Sequence, residues 1–198
     1  MKNNILTTSL LLLLLCILSC QTGCSQIVHN NTQQVRGKVI KVMDGDTYDI
    51  LLEGNQTKRV RMLGIDAPEK GMDFSKRATE YLRSLCIGQY VTLEYTEVDQ
   101  YGRILALTYL DDGREAGHEM VKAGYAWHFK RFSDDKELAT LEGQARLARK
   151  GLWADKHPVE PWIERKLRKK GYKSVEIKQM KISGLIDTVE DEKKIPHK

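Results

Sequence analysis

Between Gln34 and Tyr109 the hydrophobic period changes twice, and that double change restricts the chain to few folds. Val35, Val39, Ile40 and Val42 mark a first strand, closed by the turn Asp44-Gly45-Asp46. A second strand runs through Tyr48, Ile50 and Leu52, and after Glu53-Gly54-Asn55 a third carries Val60, Met62 and Ile65. The period then lengthens. Phe74, Ala78, Tyr81, Leu82 and Leu85 fall on one face of a helix. Alternation returns at Tyr90, Val91, Leu93 and Tyr95, and again at Ile104, Leu105, Leu107 and Tyr109. A short helix is predicted over Glu115 to Lys122 and a longer one over Asp135 to Lys150, stopped by Gly151.

Three strands, a helix, two strands and two helices suit an α+β chain. The expectation is a five-stranded antiparallel sheet closed as an OB-type β-barrel, with about three helices. Four parts are legible along the sequence. Residues 1–24 read as a signal peptide: Lys2 precedes an apolar run from Leu10 to Leu18 that is short for a membrane span. The run ends in Ile17-Leu18-Ser19-Cys20, which resembles a bacterial lipobox with Cys20 as the lipidated residue. Export follows, either as a cell-envelope lipoprotein anchored to the membrane at Cys20 or as a secreted protein. Residues 25–33 form a polar tether, 34–157 the folded domain, and 158–198 a basic tail with some helix near Trp162 to Lys170 and a disordered end.

Charge is unevenly placed. The formal net charge is +5, of which residues 160–178 supply +4, from seven Lys/Arg against three Glu. The central domain is close to neutral, so any grip on phosphate must come from placed side chains rather than a general field. Cys86 is the only cysteine beyond residue 24, which excludes a disulfide inside the domain and assigns the thiol to the core. No Cys/His spacing suits zinc. The five histidines are scattered and read as surface or packing residues.

Three clusters place charge at strand ends: Asp44-Gly45-Asp46-Thr47, the stretch Arg61 to Glu69, and Asp99-Gln100-Tyr101-Gly102-Arg103. Hydrolysis of a phosphodiester needs positive charge on the phosphoryl oxygens, an oriented water and a stabilised leaving oxygen. Asp46 and Asp66 suit a hard cation, Arg61 and Arg103 suit phosphate as planar forks, and Glu69 can hold the water. Pro68 restricts Ala67 to an extended conformation that can expose its carbonyl.

The set DGDT, R-x4-D-x-P-E and YGR, in this order and with a helix between the second and third, resembles the staphylococcal nuclease family over residues 36 to 153. The resemblance implies a nuclease with Ca2+ as cofactor and DNA and/or RNA as substrate, acting as a monomer. It implies that Asp46, Asp66 and the Ala67 carbonyl bind the metal and that Arg61 and Arg103 bind phosphate. Glu69 is then the water-orienting group or general base, and Tyr101 contacts substrate. Gln100 stands where the best-known member has lysine, and the loop after Glu69 lacks that member's lysine-rich excursion. The competing expectation is a catalytically inactive OB-fold module that binds nucleic acid on the cell envelope.

Overall fold

In a computed structural model of the chain, residues 32–186 are described; the leader, Cys20 and the end of the tail lie outside them. The strands are β1 (Gln33–Val42), β2 (Thr47–Leu51), β3 (Thr57–Met62), β4 (Ile65–Asp66), β5 (Tyr90–Val98), β6 (Ile104–Leu110) and β7 (Trp127–His128). The helices are α1 (Ser75–Cys86), α2 (Ala116–Lys122), α3 (Lys136–Leu147), α4 (Pro161–Lys169) and α5 (Ser174–Ile182). Five strands close into a barrel in the order β1-β2-β3-β6-β5, while β4 and β7 pair separately.

Two expectations change here. The barrel is mixed rather than antiparallel, because β3 and β6 run parallel, with Val60 beside Ile104 and Arg61 beside Leu105. Alternating hydrophobicity fixes which residues face inward but not the direction of a partner strand. The predicted third strand is also divided. Gly64, at a φ of 74°, turns the chain after Met62, so Ile65 and Asp66 pair with His128 and Trp127 instead.

The barrel core follows the sequence reading in β2, β3 and β5, whereas in β6 the buried side chains are Ile104, Ala106, Thr108 and Leu110, and Leu105, Leu107 and Tyr109 are only partly buried. Tyr48, Ile50, Val60, Met62, Val91, Leu93, Ile104 and Ala106 are all buried. Helix α1 closes it with Ala78, Leu82 and Cys86, and α2 adds Met120 and Val121. Cys86 is fully buried, and burial pushes its thiol up to about 12. Its Sγ–H donates to the Leu82 carbonyl at 3.1 Å. Trp153 caps a second cluster with Trp127, Ala145 and Leu152.

At the C-terminus the helix expected near Trp162 to Lys170 is present as α4, and the departure is the second helix, α5, and a core of their own built from Ile163, Leu167, Ile177 and Ile186. Pro161 at the first turn of α4 costs no hydrogen bond there, and Leu167 lies on the same helical face as Ile163. This annex is held to the domain by aromatic packing and by charge. Trp162 stacks on Phe129 at 5.2 Å between ring centroids and meets Trp127 edge-on at 5.7 Å. Lys178 is paired with Asp155 and, at 3.3 Å, with Asp73.

Candidate active site

Register explains why the three charged clusters meet. Thr47 opens β2 directly opposite Arg61 near the end of β3, and Arg61 lies beside Leu105 at the start of β6. The turn before β2, the far end of β3 and the turn before β6 therefore emerge at one end of the barrel. They line a cleft of about 460 Å³ that holds Asp46, Arg61, Asp66, Glu69 and Arg103 together.

Each turn is built for this position. Gly45 has no room for a side chain: a Cβ there would sit 2.7 Å from the Ala67 Cβ and 2.8 Å from that of Ala78. That close approach presses the Asp44–Asp46 turn onto the Asp66-Ala67 segment. The Ala67 amide donates to Asp46 Oδ2 at 2.7 Å, and Thr47 Oγ1 donates to Asp46 Oδ1 at 2.9 Å. In the Asp99–Arg103 turn, Asp99 Oδ1 accepts from the Tyr101 and Arg103 amides at 2.9 and 3.0 Å. Gly102 takes the positive φ, 77°, that the turn requires.

Arg61 is the hub. Its Nη1 donates to the Met62 and Ile65 carbonyls at 2.6 and 2.9 Å, which pins the guanidinium across the β3–β4 corner. From there Nε lies 3.2 Å from Asp46 Oδ1 and Nη2 3.1 Å from Asp66 Oδ1. Asp66 is 1% exposed, and burial raises its carboxyl above the ordinary range against the pull of Arg165 and Arg61. Arg103 is held by Asp99, with Nη2 2.7 Å from Oδ2, and its guanidinium lies 5.5 Å from the Tyr101 ring centre. Tyr101 itself is 75% exposed at the rim.

Four further charged residues line the cleft, Asp44, Glu97, Asp99 and Arg165, and two of them bear directly on the carboxylates picked from sequence. Asp44 accepts from the Asp46 amide at 3.1 Å, and burial, then the Asp46 charge, lifts its carboxyl to about 7. The DGD turn was visible, but a turn-forming aspartate there is indistinguishable from a functional one. Arg165 of α4 is the other. Its Nη2 donates to Asp66 Oδ2 at 2.7 Å, and Nη1 donates to Asp66 Oδ1 at 3.0 Å and Glu69 Oε1 at 2.6 Å. Nothing in a lysine-rich run signals a partner 99 residues earlier in the chain.

Six carboxylates and three guanidinium groups line the cleft, an excess of hard, anionic oxygen. That donor set fits a cation such as calcium, which takes carboxylate, carbonyl and water oxygens. Among the described residues no three acidic, His or Cys side chains form a ready-made cage. An open site would fit, in which Asp46 and Asp66 could supply carboxylates and backbone and water the rest of the shell.

Comparison with known proteins agrees with this arrangement. Residues 59–155 match the family model described as staphylococcal nuclease homologue. An uncharacterized endonuclease of Escherichia coli is 40% identical over 131 residues, spanning 66% of this chain and 85% of that protein. A micrococcal nuclease of Shigella flexneri is 38% identical over 144 residues, spanning 68% and 82%. An uncharacterized endonuclease of Haemophilus influenzae is 37% identical over 160 residues, spanning 81% and 84%.

Proposed function

Because the chain belongs to the staphylococcal nuclease family and is a nuclease, we propose that it hydrolyses DNA or RNA outside the cytoplasm with calcium as cofactor. The observation that carries this reading is the convergence of Asp46, Arg61, Asp66, Glu69 and Arg103, from three separate sequence clusters, on one cleft. Two acids and an arginine in a turn are usually a solvated pair. Five such groups around one concave site, two of them buried carboxylates, are not explained by surface pairing.

Asp46, Asp66 and the Ala67 carbonyl would hold the calcium, which when bound supplies a fixed positive charge beside the phosphoryl oxygens. Arg61 and Arg103, which both line the cleft, would offer planar donors to the same phosphate. Their charge stabilises the pentacoordinate species as it gains negative charge. Glu69 accepts a proton from the attacking water and aims its oxygen at phosphorus opposite the leaving oxygen. Tyr101, exposed at the rim beside Arg103, contacts the strand. The protein acts as a monomer in this reading, since the cleft is complete within one chain.

The export proposal rests on residues 1–24, where the apolar run and Ser19-Cys20 suit lipidation and anchoring. Labelling with a clickable fatty acid should mark the wild type and spare Cys20→Ala; equal labelling of both removes the anchor. Activity of the full chain on single-stranded DNA, with calcium and with a chelator, beside Glu69→Ser, tests the chemistry. Calcium-dependent cleavage that collapses in the variant is expected. Cleavage that survives the chelator overturns the cofactor, and equal cleavage by both proteins overturns the role of Glu69.

A further inference from the structure

We infer that Arg165 is an internal cation that competes with calcium for Asp66, so that helix α4 sets the calcium concentration at which the site becomes active. The inference rests on the calcium reading above and adds a control that lies outside the part of the chain matched by the family model, which ends at residue 155.

The geometry leaves little choice. Both oxygens of Asp66 accept from the Arg165 guanidinium, at 2.7 and 3.0 Å, and the same Nη1 reaches Glu69 at 2.6 Å. A planar fork on two carboxylates is the strongest common pairing of these groups. Arg61 also holds Oδ1 of Asp66, but it comes from the adjacent strand and is pinned by two backbone carbonyls. Arg61 is therefore part of the fixed frame. Arg165 arrives from another helix on a side chain that is 37% exposed, so it has solvent to withdraw into.

A calcium ion bound to Asp66 would need one of the oxygens that Arg165 now occupies. Its charge would also lie within a few ångströms of the guanidinium, where repulsion is strong in a partly buried site. Two cations that claim one carboxylate are linked: each weakens the other by the same factor. In low calcium the guanidinium pairs with Asp66 and occupies Oε1 of Glu69. In high calcium it is displaced, and both carboxylates become available for their roles.

The backbone of α4 is well placed to keep this competitor close. Trp162, three residues before Arg165, stacks on Phe129, and Ile163 and Leu167 flank it in the annex core. Displacement therefore moves a side chain and need not unfold the helix. The effective concentration of the guanidinium at Asp66 stays high, which is what makes a single arginine an effective competitor.

Isothermal titration of the full chain with calcium alone, without substrate, reads the competition directly. Arg165→Ala should bind calcium about tenfold to a hundredfold more tightly than wild type, the scale of one charge-assisted pairing removed from the competing state. Arg165→Lys, which keeps the charge but loses the fork, should fall between them. In wild type labelled with 15N-arginine, the Arg165 Nη–H protons, which make these bonds, should exchange slowly without calcium and quickly with it. Equal affinity in wild type and Arg165→Ala, or weaker binding in the variant, overturns the competition while leaving the calcium site intact. Arg165 Nη–H protons that stay protected at saturating calcium overturn it as well. Calcium binding by neither protein removes the cofactor reading, and the competition with it.

Discussion

The barrel and the C-terminal annex hold the same acidic residue by opposite means. On the barrel side, Asp66 meets Arg61 five positions away, across a corner fixed by strand pairing and by a core of twenty-one buried residues. On the annex side it meets Arg165, carried by two short helices whose own core has four. Stability scales with buried apolar area, so the first contact is as permanent as the fold, whereas the second belongs to an element that opens at lower cost. A site can thus combine a rigid frame with an adjustable partner. The two are distinguished by how much core stands behind each arginine rather than by the hydrogen bonds themselves.

The largest effects should come from the rigid side. Leu82→Ala removes a fully buried side chain between α1 and the barrel and should cost about 2–5 kcal/mol of global stability. Denaturant unfolding followed by tryptophan fluorescence and by circular dichroism measures it; a loss below about 1 kcal/mol would mean the barrel core is less decisive than argued. Arg61→Ala should lower turnover about a hundredfold to a thousandfold, the scale of deleting one transition-state donor. Near-normal single-turnover rates at saturating calcium would remove Arg61 from the chemistry and leave it a structural clamp.

Smaller effects should come from the annex. Ile177→Ala empties a four-residue core and should raise amide hydrogen exchange across residues 161–182, with the barrel transition moved by less than about 1 kcal/mol. A shift of the barrel as large as that of Leu82→Ala would show that the two regions unfold as one. The mildest effect concerns pH. Burial alone would raise the Asp155 carboxyl, but its pairing with Lys178 and the bond it accepts from the His157 amide together hold it below the usual range. A lowered folded value stabilises the annex above the unfolded value, near pH 4, and that contribution is lost as pH falls through the folded one. Exchange across α5 should therefore accelerate below about pH 4 in wild type, and far less so in Asp155→Asn; identical profiles would mean the pair does not fasten the annex.

What the amino-acid sequence determined by itself is the barrel and most of its chemistry. Strand alternation is a local property that names the inward face, so Tyr48, Ile50, Val91 and Leu93 were legible as core. The acids and arginines stood out because charge at strand ends is unusual, and all five of the side chains so picked line the one cleft. Tertiary structure alone decided the rest. Strand direction at β3–β6 depends on how the sheet closes, which hydrophobic period does not encode. The pairing of β4 with β7 depends on a turn at Gly64 and a partner some sixty residues later. Beyond a helix near Trp162, a packed annex is not legible from sequence because its apolar residues are interleaved with lysines and arginines, yet four well-spaced side chains suffice once the aromatic wall of Trp127 and Phe129 is there for Trp162 to meet. Arg165 follows from that docking. A charged side chain announces no partner in its own sequence neighbourhood, since electrostatic pairing depends on distance in space, and only the folded chain brings Arg165 to Asp66.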